Sequence, residues 1–97
     1  MERIGVVVEL APGTRERAEE LLAEGPPFEL AESGFARHTV FVAEDLVVFV
    51  FEGENVERQV SALADHPITS AALSRWAPIL AGTPQIAREV FAWTQSA

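Results

Sequence analysis

Cysteine, lysine and tyrosine are all absent from the 97 residues. Without cysteine there is no thiolate nucleophile, no disulfide and no sulfur ligand for a metal. Without lysine no side-chain amine is available for a Schiff base to a carbonyl substrate or to pyridoxal phosphate. The side chains left for acid and base chemistry are His38, His66 and the carboxylates. Positive charge is also scarce. Seven basic residues, every one an arginine, stand against fifteen acidic ones, for a net charge of −8. Such a surface repels phosphate backbones and anionic headgroups, so neither nucleic acid nor membrane is an expected partner. The six glycines are dispersed at turn positions, and no phosphate-cradling loop is formed. Two histidines among scattered carboxylates lack a recognised ligand spacing, so no metal and no cofactor are expected. Long apolar runs are missing too. The opening "MERIGVVVELAPG" is too short for a membrane span and lacks the basic region and cleavage site of a signal peptide. A cytoplasmic protein with a single domain over residues 1–97 is the expectation.

What is present reads as alternating strands and helices. "RIGVVVEL", residues 3 to 10, has the β-branched content of a strand, and "APG" ends it. "TRERAEELLAEG" offers Thr14 as a helix N-cap, with Ala18, Leu21, Leu22 and Gly25 at helical spacing, and Gly25, Pro26 and Pro27 stop the helix. The next segment has no clear period and reads as a connection that carries Phe28 and Leu30 onto the core, with strand character resuming near Phe35. After Gly53, Val56, Val60, Leu63 and Ala64 form one stripe of a second helix, with Asn55 a possible cap and Pro67 beyond its end. "ITSAALSRWAPILAG" starts another helical stretch at Thr69 or Ser70, which Pro78 ends or kinks soon after Trp76. "QIAREVFAW" returns to strand character.

The stretch "HTVFVAEDLVVFVFEG", residues 38 to 53, reads as two strands joined at Glu44 and Asp45. Counting outward from a two-residue turn sets His38 opposite Phe51. Val40, Val42, Val47 and Phe49 then share the face of that pair, while Thr39, Phe41, Ala43, Leu46, Val48 and Val50 make up the other. Both faces are apolar and need a cover.

The order of strand, helix, strand, strand, helix and strand is satisfied by an α+β, ferredoxin-like βαββαβ arrangement, a four-stranded antiparallel sheet with its helices on one face. Two helices leave the opposite face bare. The expectation is that the face of Val40, Val42, Val47, Phe49 and Phe51 is the bare one and that a second copy of the chain covers it as a homodimer.

The segments "FVFEG" at 49 to 53, "ALADHPITSAALSRW" at 62 to 76 and "REVF" at 88 to 91 resemble the dimeric α/β barrel superfamily, in which two ferredoxin-like sheets pack face to face. The middle segment looks like the antibiotic-biosynthesis monooxygenase-like and stress-responsive barrel proteins. The layout is also similar to L-rhamnose mutarotase, through "RIGVVVELAPG", "RW" at 75 and 76, and "EVF" near the end. That second resemblance implies a catalytic histidine near the end of the first helix, helped by tyrosines and a tryptophan. Leu22 stands near the histidine position, Ala18 and His38 at tyrosine positions, and Trp76 at the tryptophan.

His38 is the leading candidate for chemistry, as a proton relay at the mouth of an apolar cavity; otherwise it is a strand-end histidine satisfied by backbone or water. Glu9 shares a strand face with Val7 and Gly5, and would form an acid and base couple with His38 if it entered the same cavity; otherwise it sits in water. Val40, Phe49, Phe51, Trp76 and Phe91 are the expected ligand-contacting residues, with plain core or interface packing as the alternative for the aromatics. His66 caps a helix end or meets a partner. Three functions follow from these residues. One is binding of a small apolar or aromatic molecule in a cavity between sheet and helices. The second is a cofactor-independent monooxygenase, isomerase or mutarotase-like enzyme. The third is a structural dimer with a filled core.

Overall fold

The computed structural model describes residues 2–25, 33–64 and 74–95. The strands are β1 (Glu2–Glu9), β2 (Phe35–Val42), β3 (Leu46–Gly53) and β4 (Gln85–Arg88), and the helices are α1 (Arg15–Ala23) and α2 (Val56–Ala64), followed by a 3₁₀ turn at Ala77–Ile79. The sheet is antiparallel with spatial order β2-β3-β1-β4. This is the ferredoxin-like α+β arrangement, in which β1 and β3 occupy the centre and each β-α-β half places its helix on the same side.

The central hairpin has the register that a turn at Glu44 and Asp45 imposes. His38 pairs with Phe51, Val40 with Phe49 and Val42 with Val47, and the Ala43 N–H donates to the Leu46 carbonyl at 2.8 Å to close the turn. β1 continues the same rows: Ile4 lies beside Phe51, Val6 beside Phe49 and Val8 beside Val47. β-Branched residues dominate because they pack well on a pleated surface.

The two faces are the reverse of the sequence expectation. Helices and the 3₁₀ turn cover the face of His38, Val40, Val42, Val47, Phe49 and Phe51. Val47 packs with Val8, Leu10, Ala18, Leu21 and Ile79, and Phe51 packs with Ile4 and Val56. Both faces are apolar, so periodicity within the hairpin fixes which residues go together and not which set the helices take. The uncovered outer face carries Gly5, Val7, Thr39, Phe41, Val48 and Val50. Phe41 is 61% exposed there.

Helix α1 begins after Thr14, whose hydroxyl is committed elsewhere. Thr14 Oγ1 donates to the Ala11 carbonyl at 2.6 Å and makes no capping bond to the helix. Ala18 and Leu21, three residues apart, are buried on the sheet, and each fully buried Leu or Val contributes about 1.5–3 kcal/mol. At the other end Gly25 takes φ +90°, a left-handed conformation that suits glycine, and its N–H donates to the Leu22 carbonyl at 3.0 Å. In α2, Val56 is fully buried and Val60 and Leu63 pack beside it. Asn55 precedes the helix with φ +51°, which asparagine tolerates, and its carbonyl accepts the Gln59 N–H at 3.1 Å. Pro78 lies in the 3₁₀ turn just after Trp76.

The end of the chain departs from expectation. Strand structure stops at Arg88, because β4 pairs with β1 only from Gln85 to Arg88. Beyond it Val90, Phe91 and Trp93 are exposed, at 96%, 81% and 73%. Phe28, Leu30, His66 and the helix start at Thr69 or Ser70 lie outside the described residues.

Candidate functional site

The side chains with chemical potential meet on the helix-covered face, at the β2 and β3 side of the sheet. Register alone places His38 beside Phe51. The imidazole stacks on the Phe51 ring with centroids 4.3 Å apart and lies parallel to Phe49 at 6.4 Å. Trp76, brought in by the chain before the 3₁₀ turn, meets Phe49 edge to face at 5.7 Å. His38, Phe49 and Trp76 are each only partly buried, so ring surface stays accessible. Val40, partly buried, sits in the next row of the sheet beside Phe49.

A fourth ring joins through an irregularity. Between Phe35 and Arg37 the register slips by one residue, so that Ala36 is extra relative to β3. Side chains alternate faces along a regular strand, which would put residues 35 and 38 on opposite sides. The inserted residue restores the phase. Phe35 therefore lies 4.9 Å from Phe51 on the side away from the outer face, and Phe51 has Phe35 and His38 as ring neighbours.

Among the described residues, two influences act on His38. Burial among aromatic rings is the larger influence and lowers its pKa, while the hydrogen bond to Val50 opposes this weakly. Burial therefore favours the uncharged ring. The Val50 carbonyl can only accept, and it lies 3.0 Å from Nδ1. Nδ1 therefore carries the proton in the neutral ring and donates to Val50, which leaves the lone pair on Nε2. A neutral imidazole with its tautomer held by a backbone carbonyl is suited to accept a proton or a hydrogen bond through Nε2.

The structure brings together His38, Val40, Phe49, Phe51 and Trp76. It does not bring in Glu9 or Phe91. Glu9 pairs with Leu46 on the outer face and is exposed, so the sheet lies between it and His38. Phe91 is in the exposed chain beyond β4. Phe35 is the member the sequence reading did not identify, and the signal for it is slight: a small residue, Ala36, between Gly34 and Arg37 at the start of a strand. Among the described residues no group of three or more His, Asp or Glu is placed to hold a metal ion. Among them, too, no helix is long and apolar enough to cross a membrane.

The same arrangement of strands and helices occurs in solved structures of known proteins. Tetracenomycin F2 cyclase from Streptomyces glaucescens, a type-II polyketide cyclase, superposes with a TM-score of 0.75 at 22% identity, over 99% of this chain and 100% of the cyclase. The fold these structures share with this chain is the ferredoxin-like α+β fold. L-rhamnose mutarotase from Formosa agariphila shares it with a TM-score of 0.68 at 16% identity, covering 99% of this chain and 100% of that one. An antibiotic biosynthesis monooxygenase-like protein from Chloroflexus aurantiacus does so with a TM-score of 0.56 at 17% identity, covering 95% and 97%. No family model and no curated protein matches the sequence.

Proposed function

We propose that this protein binds a planar, largely apolar or aromatic small molecule against the ring cluster of Phe35, Phe49, Phe51 and Trp76, with His38 as its polar contact. One observation carries the reading: the His38 proton is directed to the Val50 carbonyl while the ring stacks within the cluster. A flat ligand gains dispersion and burial from the rings, and an O–H or N–H on it gains an acceptor in Nε2. A planar hydroxyaromatic fits both halves of that description. The proposal includes a homodimer formed through the outer face of the sheet, where apolar side chains lie uncovered.

A second reading is favoured by the neutral state of the imidazole. In it the protein is a cofactor-independent enzyme of the isomerase or cyclase kind, and the fold it shares with a polyketide cyclase supports this. Nε2 takes a proton from a substrate O–H or from a carbon beside a carbonyl. The ring becomes an imidazolium still bonded to Val50, and the proton returns to another atom of the same substrate. No external oxidant or reductant enters. Glu9 takes no part, being on the other face.

The test uses 2-naphthol as the probe, with binding read by quenching of Trp76 fluorescence in a Trp93→Phe background. The intact site prefers 2-naphthol to naphthalene. His38→Phe keeps a stacking ring and removes the acceptor, so the preference falls by about fivefold, the worth of one hydrogen bond of about 1 kcal/mol. An equal preference before and after that substitution would remove His38 from the proposal.

A further inference from the structure

Three of the four rings of the candidate site ride on strands, Phe35 on β2 and Phe49 and Phe51 on β3, and the fourth does not. Trp76 stands in the chain between α2 and β4, at the head of the 3₁₀ turn. That chain is tied to helix α1 at two places. After Trp76, the Ile79 carbonyl accepts the Ala11 N–H at 2.7 Å and lies 3.4 Å from Thr14 Oγ1, at the start of the helix. Before it, the neighbouring residue Arg75 pairs with Glu24, which follows the last residue of the helix. Thr14 and Glu24 are about 15 Å apart along the helix axis, at about 1.5 Å per residue, so the segment lies lengthwise against α1 with Trp76 between its two ties.

The tie at Arg75 has a chemical reason. Helix α1 has no basic residue in its last turn, and a helix C-terminus carries partial negative charge, to which Glu24 adds a full one. Arg75 supplies the cation that both need. On the other side of Trp76 the tie is made by backbone alone: the Ile79 N–H donates to the Trp76 carbonyl at 2.9 Å. Such a bond sets where the residue sits and not which way its side chain points. The indole itself is only partly buried, 5.7 Å from Phe49 with the ring planes at 72°, beside the core that contains Leu21 and Ile79.

We propose that Arg75, through its ion pair with Glu24, is a positioning residue that holds the Trp76 indole against Phe49 and so sets the width of the site. The inference rests on the binding reading above and adds what fixes its fourth wall. Rings carried by hydrogen-bonded strands keep their spacing, so the width that a guest meets is decided at Trp76. With the pair intact the gap suits a flat ring. With the pair broken the indole swings, and a thicker guest is accepted at the expense of the flat one.

The experiment uses the full chain with Trp93→Phe, which leaves Trp76 as its one indole. Into it are placed Arg75→Ala, Arg75→Lys, Arg75→Glu, Glu24→Arg and the double reversal, with circular dichroism to establish folding. Acrylamide quenching without ligand reads how firmly the indole is held. Displacement of 2-naphthol by decahydro-2-naphthol, the same skeleton saturated and thicker, reads the width. Arg75→Ala raises the quenching and lowers the preference for 2-naphthol about threefold, the scale of one exposed ion pair, while Arg75→Lys keeps most of both. Each single reversal behaves as Arg75→Ala does, and the double reversal recovers most of the loss. Salt at about 1 M moves the parent in the same direction and leaves Arg75→Ala where it is. Quenching that Arg75→Ala does not change overturns the inference, as does a double reversal that merely adds the two losses. Quenching that rises while the preference holds overturns the setting of width. A parent that binds neither compound while its quenching responds to Arg75 overturns the binding reading and leaves the hold on Trp76 standing.

Discussion

The imidazole of His38 and the ring of Phe51 lie 4.3 Å apart and are inclined by 22°, so that a core residue of the fold is also one wall of the candidate site. Phe51 is 6% exposed and packs on Ile4 and Val56. Truncating it therefore damages two things at once. Phe51→Ala is expected to cost about 3–5 kcal/mol in urea unfolding, as for other buried aromatics. Phe51→Leu, which keeps much of the volume, moves the His38 pKa back towards its ordinary value in an NMR titration. A titration indistinguishable from wild type would show that burial by this ring does not set the histidine.

Acid should weaken the fold through His38. Its pKa is depressed in the folded chain, so between the ordinary value of about 6.5 and the lower folded one the unfolded state binds a proton that the native state does not. The stability it contributes is present above about pH 6.5 and is lost as pH falls to the folded pKa. Denaturant melts between pH 7.5 and 5.5 should show a steeper loss for wild type than for His38→Phe. Parallel curves would contradict the assignment.

Two glycines with similar backbones should respond unequally. Gly25 and Gly34 have φ of +90° and +85°, and an added side chain in that region costs about 1–2 kcal/mol. Among the described residues, a Cβ at Gly25 meets nothing within 4 Å, whereas at Gly34 it would stand 2.6 Å from Gln59 Oε1. Gly34→Ala is expected to lower the melting temperature more than Gly25→Ala. Equal losses would mean that the Gln59 side chain yields freely.

Thr14 offers a test of what its hydroxyl does. Because Oγ1 donates to the Ala11 carbonyl, Thr14→Ser should be close to neutral and Thr14→Val should cost about 1 kcal/mol. The helix content of the folded valine variant, read by circular dichroism, should be unchanged. Fraying of α1 in that variant would instead show that the hydroxyl serves the helix.

The local pattern of the sequence carried most of the fold. The alternation around Glu44 and Asp45 set the pairing of His38 with Phe51, since a one-residue slip would move every side chain to the other face. Ala18 and Leu21 marked the buried stripe of α1 by their spacing. The identity of the covered face was not legible, because Val and Phe occupy both sides of the hairpin and the choice depends on where α1 and α2 land. That is a long-range matter. It also decided the site: Glu9 and His38 lie on opposite sides of the sheet once β1 is paired with β3 in its observed register. The strand expected to continue through Phe91 stops at Arg88, where the pairing of β4 with β1 ends.

The extra residue at Ala36 makes the composition of the ring cluster a question of reading phase. Deleting the Ala36 codon would straighten β2 and leave Phe35 two residues from His38, on the same face, whereas a strand that kept Ala36 without the bulge would turn Phe35 to the outer face. Chains of this fold that keep the residue but lose the bulge would present three rings in place of four to the same guest, so the backbone at the start of β2 is a route by which selectivity in this fold can diverge without change to His38.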